Sequence, residues 1–464
     1  MAGIAGISTK DSEEQVTHML GKIQHRGDEG AKILTNDNVT LAGVWSEAEM
    51  TPTASQYQRR AVWDGHGFIM PSQAELKQAM APFALAMATP TGVVLARDVM
   101  GIKPLYYGKT QNDALCFASE VKALLPLTTE IRAFPPGSWY EPQKGLQSYA
   151  KLSLNKPLRK SAESIIAGLR ERLEDAVKLC INNLVMGSWL SGGLDSSAMA
   201  ALARSHVREL HTFAAGLPNA PDLDYARQVA KFIKSHHHEV IVNLDDLLAV
   251  LPDVIYHLES FDALLVRSTL SNYLVAQRAA DYVGASFSGE GADELFAGYA
   301  YLKDLPSEKL DGELLDITKR LHNTALQRVD RSASAHSLVI HVPFLNADVV
   351  DYALRIPTSL KLRRQQDKTV EKWVLRQALA DILPEQVVWR KKAKFWEGAG
   401  IEDLLSDYAD AQISDRAFEQ ERELPNGWHL NTKEELLYYR LFREQFGALE
   451  NLSWMGRTKG APKQ

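Results

Sequence analysis

The run Trp189-Leu190-Ser191-Gly192-Gly193-Leu194-Asp195-Ser196-Ser197 joins an apolar stretch, residues 184–190, to a helix-compatible one, residues 198–203. Its two glycines let the backbone turn tightly and aim several N–H groups at one anion. A helix beginning there adds its positive N-terminal end. Such a nest suits the pyrophosphate of ATP, with Asp195 placed to hold the accompanying magnesium. Two glycines alone would read as an ordinary strand-to-helix turn, but the full nonet points to the nucleotide. A second acidic, glycine-rich run, Ser288-Gly289-Glu290-Gly291-Ala292-Asp293, follows another apolar segment. Near the C-terminal side, Trp389-Arg390-Lys391-Lys392-Ala393-Lys394 gathers cations.

These runs need elements to carry them. Beyond residue 160, strand candidates at 210–215, 239–242 and 285–288 alternate with helix candidates at 222–234, 245–257 and 268–282. That alternation implies a parallel sheet covered by helices on both faces, with ligands beyond the carboxyl ends of its strands. Both glycine-rich loops fall at such ends and so can face one crevice. A helix over 161–182, with Ser161 as N-cap, precedes the first loop, and residues 305–464 read as mostly helical. Residues 151–160 carry Pro157 and no apolar period, which puts a domain boundary near 155. Before it, short strands alternate with turns, including a hairpin of 83–88 and 93–97.

A chain of 464 residues with 45% hydrophobic and 24% charged content is an ordinary globular protein of two to three domains. A net charge of −6 gives no reason to expect a nucleic-acid partner. Cys116 and Cys180 are too few for a disulfide framework, so a reducing cytoplasm is expected. Residues 1–9 lack the basic start and long apolar run of a secretory leader, so none is expected. The longest uncharged stretch, 79–96, is broken by Pro82, Pro90 and Gly92, which argues against a membrane span. His236, His237 and His238 are adjacent, so their side chains alternate along a strand entry and read as structural rather than as one metal site.

The nonet resembles the SGGxDS loop of the PP-loop ATP pyrophosphatases. Ser288-Gly289-Glu290-Gly291-Ala292-Asp293-Glu294-Leu295-Phe296-Ala297-Gly298-Tyr299 is similar to the SGEGxDExFxGY segment of asparagine synthetases. Thr212-Phe213-Ala214-Ala215-Gly216-Leu217, His237-His238-Glu239, Val342-Pro343-Phe344-Leu345 and Trp389-Arg390-Lys391-Lys392-Ala393-Lys394-Phe395 fit the same family in order and spacing. The resemblance implies an α/β fold: a PP-loop, adenine nucleotide α-hydrolase-like domain over 156–464 with a helical C-terminal extension. It further implies ATP and magnesium, with Asp195 and Asp293 as the magnesium carboxylates. Trp189, Leu190, Ser191, Gly192, Gly193, Ser196, Ala215, Ser288 and Gly289 would hold the nucleotide. Lys392 would stabilise charge at the α-phosphate, Glu290 would take a proton from incoming ammonium, and Tyr299 is a further catalytic candidate. Arg267 could grip a substrate carboxylate or pair structurally with Asp262.

Residues 1–155 resemble the glutaminase domain of that family, a shortened Ntn-hydrolase-like αββα sandwich. Met1-Ala2-Gly3-Ile4-Ala5-Gly6-Ile7 is similar to its opening, and His25-Arg26-Gly27-Asp28 to its HRGPD. Residues 97–107 and 117–124 match later parts. The family's second residue is a cysteine nucleophile; here it is Ala2, whose methyl group attacks nothing. Asp64-Gly65-His66 replaces the NGE segment, and nothing resembling SDTE lies between Phe68 and Phe83. An engineered Cys-to-Ala change would have left those segments intact, so the glutaminase is read as naturally lost and the domain as scaffold.

The chain departs most where the acid should bind. The family's E-x-R-V-P-F-L-D stands here as Val339-Ile340-His341-Val342-Pro343-Phe344-Leu345-Asn346, and Leu264-Leu265 replace a threonine pair of one branch. Aspartate and a larger or less charged carboxylic acid both fit. The nitrogen would come from free ammonia, a separate ammonia source, or an amine on a second substrate. β-Lactam and carbapenam synthetases close a ring with an internal amine, but Glu290 argues for an ammonia-type step. A catalytically silent relative acting as a binding partner is the reading from another class. A homodimer is compatible with all of these.

Overall fold

The computed structural model describes residues 2–36, 38–46, 48, 61–65, 76, 81–181, 183–365, 368–390 and 402–458. Its first strand, β1 (Ala2–Ile7), is buried on both faces. Ile4 enters a core between two sheets, while Ala5 and Ile7 point at helix α1 (Glu13–Ile23). The other strands of this half are β2 (Gly30–Asn36), β3 (Val39–Trp45), β4 (Ala61–Asp64), β5 (Ala84–Thr89), β6 (Gly92–Arg97), β7 (Tyr106–Lys109), β8 (Leu115–Ala118), β9 (Arg132–Ala133), β10 (Ser138–Glu141) and β11 (Gly145–Ser148). They form two antiparallel sheets, β2-β3-β1-β8-β7-β9 and β11-β10-β6-β5-β4. The second includes the expected hairpin, turning at Pro90-Thr91. Val39, Leu41, Val62, Ala86, Leu95 and Phe117 fill the space between the sheets. Leu76 packs with Phe83 and Trp139 on the second sheet.

After an irregular stretch, helix α2 (Ala162–Cys180) starts at Ser161, whose side chain accepts from Ser164 N. Strand β12 (Val185–Trp189), helix α3 (Leu194–Arg204), β13 (Glu209–Gly216), α4 (Pro221–Ile233), β14 (His236–Ile241), α5 (Leu244–Leu258), α6 (Ala263–Ala280), β15 (Ala285–Phe287), α7 (Ala292–Phe296), α8 (Ser307–Arg320), α9 (Ala325–Ser334) and β16 (Val339–His341) follow. The sheet is wholly parallel, in order β14-β13-β12-β15-β16. Two predicted boundaries move. Helix α6 begins five residues early because Asp262 caps it, accepting from Leu265 N. Strand β14 begins three residues early, so that the histidines open it, as expected of a strand entry. His237 and His238 do face opposite ways: His237 meets Thr212 at 3.0 Å, and His238 meets His211 at 3.0 Å. Cys116 and Cys180 are both free. Among the described residues, no helix is long and apolar enough to cross a membrane.

The two halves join over apolar and charged surface. Residues of β1, β8 and α1 share one core with α5, α6 and the helix Lys433–Phe446. Beside it lies a buried network of Arg26, Lys103, Lys122 and Arg331 with Asp64, Glu120, Glu259 and Asp330. The charges balance, as burial requires.

Three histidines also pack at this junction. The rings of His25 and His257 are 4.5 Å apart, and Tyr273 lies 6.2 Å from His257 and 4.4 Å from His336. Burial lowers His25 below its ordinary value and pushes His257 down to about 2 and His336 down to about 4. At these three sites the unfolded chain therefore binds more protons than the folded one below about pH 6.5. The stability they contribute is complete above that pH and is lost as pH falls from about 6.5 toward 4, by up to about 1.4 kcal/mol per pH unit each for His257 and His336. Urea unfolding at pH 7 and pH 5 should show this slope, and His257→Gln should flatten it. Equal slopes in both proteins would remove His257 as its source.

Candidate active site

The first glycine-rich loop runs from the carboxyl end of β12 into α3. Gly192 takes a φ of +71°, and a Cβ there would come within 2.5 Å of Ala226 N, so the turn needs glycine. The loop closes on itself: Ser191 N donates to Ser196 Oγ at 3.1 Å, and Gly193 N points at Ser191 Oγ at 3.4 Å. Gly193 is the N-cap of α3, and no side chain caps that helix. Its first N–H groups thus suit an incoming anion.

The second loop follows β15, the neighbour of β12. A Cβ on Gly289 would lie 2.7 Å from the Asp195 carbonyl carbon and 2.8 Å from Ser196 N, so the two loops touch. Asp195 and Asp293 then converge on one cation, Lys372. Its Nζ lies 2.8 and 2.6 Å from the two Asp195 carboxylate oxygens and pairs with Asp293 Oδ1. Lys372 is buried, and its left-handed backbone conformation directs it from the start of the helix Trp373–Leu379. Gly298 lies against this pair; a Cβ there would overlap Asp293 Oδ1 and Lys372 Cε.

Sequence reasoning missed Lys372. The available signal was a lone Glu-Lys pair ahead of a helical run, which says nothing of two aspartates far along the chain. Two oxygen-rich side chains meeting at one point fit a magnesium ion arriving on a triphosphate, which needs only one or two protein carboxylates. Among the described residues, no three His, Cys, Asp or Glu side chains gather to hold a metal by themselves. Without Lys372 the two carboxylates would lose the buried cation they share. Lys372→Met should therefore lower the thermal midpoint in metal-free buffer by several degrees, about 3 kcal/mol or more. An unchanged midpoint would show that the pair adds nothing to stability.

The strand ends also bring the nucleotide candidates together. Trp189 ends β12, Ala215 lies near the end of β13, and Ser288 follows β15; all three are buried, as is Leu190. The Trp189 indole N–H has no hydrogen-bond partner among the described residues, a donor left for something else. Ser288 N donates to His341 O at 2.8 Å, so the substituted His341 borders this loop.

Glu290 is part-buried and paired with Arg328 of α9. Tyr299 donates its hydroxyl to Glu294. Burial, then the neighbouring Asp293, pushes the Glu294 carboxyl up to about 7. Tyr299 is raised well above its ordinary value, burial again first. The tyrosine therefore keeps its proton and shares it in a hydrogen bond to a buried carboxylate.

Arg267 requires a correction. It is buried with its guanidinium on Glu434, Nε lying 2.7 and 2.9 Å from the two carboxylate oxygens, and Tyr438 donates to the same carboxylate at 2.7 Å. The arginine fixes α6 to the C-terminal helix through Glu434, and its guanidinium is not held open as a fork for substrate. Lys392 lies outside the described residues. Arg390 just before it pairs with Asp222 and stacks 4.0 Å over Tyr225, beside the first loop.

In the first half, Ala2 is buried in β1, and its carbonyl accepts from Arg26 Nε at 2.7 Å. The other Arg26 nitrogens meet Asp64 at 3.1 Å, Glu120 at 2.8 Å and Asp330 at 2.9 and 3.0 Å. His66 and most of 68–83 lie outside the described residues.

Residues 168–314 and 306–458 match the model of the asparagine synthase family, and residues 72–150 match that of a glutamine amidotransferase domain. A probable glutamine-hydrolysing asparagine synthetase of Schizosaccharomyces pombe is 36% identical over 414 residues, 81% of this chain and 74% of that protein. Asparagine synthetase B of Escherichia coli is 34% identical over 396 residues, 80% of this chain and 70% of that protein. Among solved structures, an NMN synthetase from Francisella tularensis shares 14% identity, covering 62% of this chain and 96% of that one, with a TM-score of 0.28.

Proposed function

The chain belongs to the asparagine synthase family, and from that membership we propose that it adenylates a carboxylic acid with ATP and passes the acyl group to ammonia or an amine. The observation that carries this reading is the meeting of Asp195 and Asp293 at one point between two touching glycine-rich loops. The N–H groups opening α3 receive the phosphates, while Trp189, Ala215 and Ser288 wall the nucleoside end. Asp195 and Asp293 would hold magnesium, which when bound supplies charge neutralisation to the departing pyrophosphate. Lys372 keeps both carboxylates aimed at that point. Lys392 adds a cation at the α-phosphate. Glu290 removes a proton from ammonium, leaving a free amine to attack the acyl carbon. AMP departs.

We propose further that the chain does not make its own ammonia. Ala2 offers no nucleophile, and Arg26 is spent on Asp64, Glu120 and Asp330. Glutamine labelled at its amide nitrogen should give no labelled product without added ammonia. The acid is sought with a panel running from aspartate to larger and less charged acids, each supplied with ammonium and with amines. Pyrophosphate release that depends on one acid supports the ligase. Tight ATP binding with no release on any acid would favour the silent relative instead.

A further inference from the structure

Helix α9 crosses the junction between the two halves and touches both. On one side, Asp330 takes a two-pronged grip from Arg26, with Nη1 and Nη2 at 2.9 and 3.0 Å. Next to it, Arg331 donates to Ser119 O at 3.0 Å and meets Glu259 at 3.2 Å, and Gln327 donates to Leu258 O at 2.7 Å. Arg328 lies two residues before Asp330, about 200° round the helix, and turns the other way to pair with Glu290. Any turn or slide of α9 therefore moves the partner of Glu290.

We propose that Arg26 is a positioning residue for amide formation: its hold on Asp330 fixes helix α9, and α9 fixes Arg328 against Glu290. This explains what an arginine in the first domain still does beside Ala2. The inference rests on the reading of Glu290 as the group serving the amination step.

Two variants test it without emptying the buried site. Arg26→Lys keeps the charge but loses the fork, and Asp330→Asn keeps the shape but loses the charge. Hydrogen exchange of residues 288–299 should rise about threefold in each, while residues 185–204 stay as in the parent. Amide formation should slow about tenfold in kcat with the KM for ATP unchanged. Combining Arg26→Lys with Arg328→Lys should cost no more than Arg328→Lys alone, because both act on one contact. Unaltered exchange at 288–299, or losses that simply multiply, would overturn the coupling. If the parent protein makes no amide, the functional reading fails, and exchange at 288–299 alone still decides whether Arg26 reaches Glu290.

Discussion

Asp195→Asn should abolish acid-dependent pyrophosphate release, lowering kcat by about a thousandfold or more. Asparagine has the shape of aspartate and leaves α3 and its open N-terminus in place, so the fold should survive. What disappears is one of two negative groups aimed at a common point, where the second sits on Asp293. A metal riding on the triphosphate would then have a single protein carboxylate. The leaving pyrophosphate would carry its charge into a site less able to neutralise it. Lys372 gives an internal control: with Asp195 neutral, its ammonium retains only Asp293. A coupled pyrophosphate assay beside ATP calorimetry makes the measurement. Normal turnover in this variant would contradict the assignment of Asp195.

Glu290→Gln should separate the two halves of the reaction. Acid-dependent pyrophosphate release should persist, while amide formation from ammonium falls about a hundred- to a thousandfold. Glutamine keeps an oxygen for Arg328 but cannot take a proton. Hydroxylamine, largely unprotonated at neutral pH, needs no base and should still be acylated. Equal losses in both half-reactions, with no recovery by hydroxylamine, would mean that Glu290 shapes the pocket instead.

What the sequence disclosed divides along a physical line. The loop of Ser191 to Ser197 was legible because a tight turn and a helix start are local events with local residue demands. The parallel sheet was legible for the same reason, through apolar runs of strand length separated by helical periods. Asp262 as a helix cap was equally visible, and overlooking it moved the start of α6. Lys372 was not legible. Its meaning comes from Asp195 and Asp293, which only the closed fold brings to it. Arg267 was misjudged for the same reason, because its partner Glu434 sits on a helix near the other end of the chain. Motif resemblance names residues one by one; it does not say which charge neutralises which.

Gly298 carries a consequence for how such a protein can change over generations. The space where its side chain would stand is already filled by Asp293 and Lys372. Even one added methyl group would require the Asp293 carboxylate and the Lys372 chain to move aside. A descendant that changes this glycine must therefore re-seat Asp293 and Lys372 at the same time.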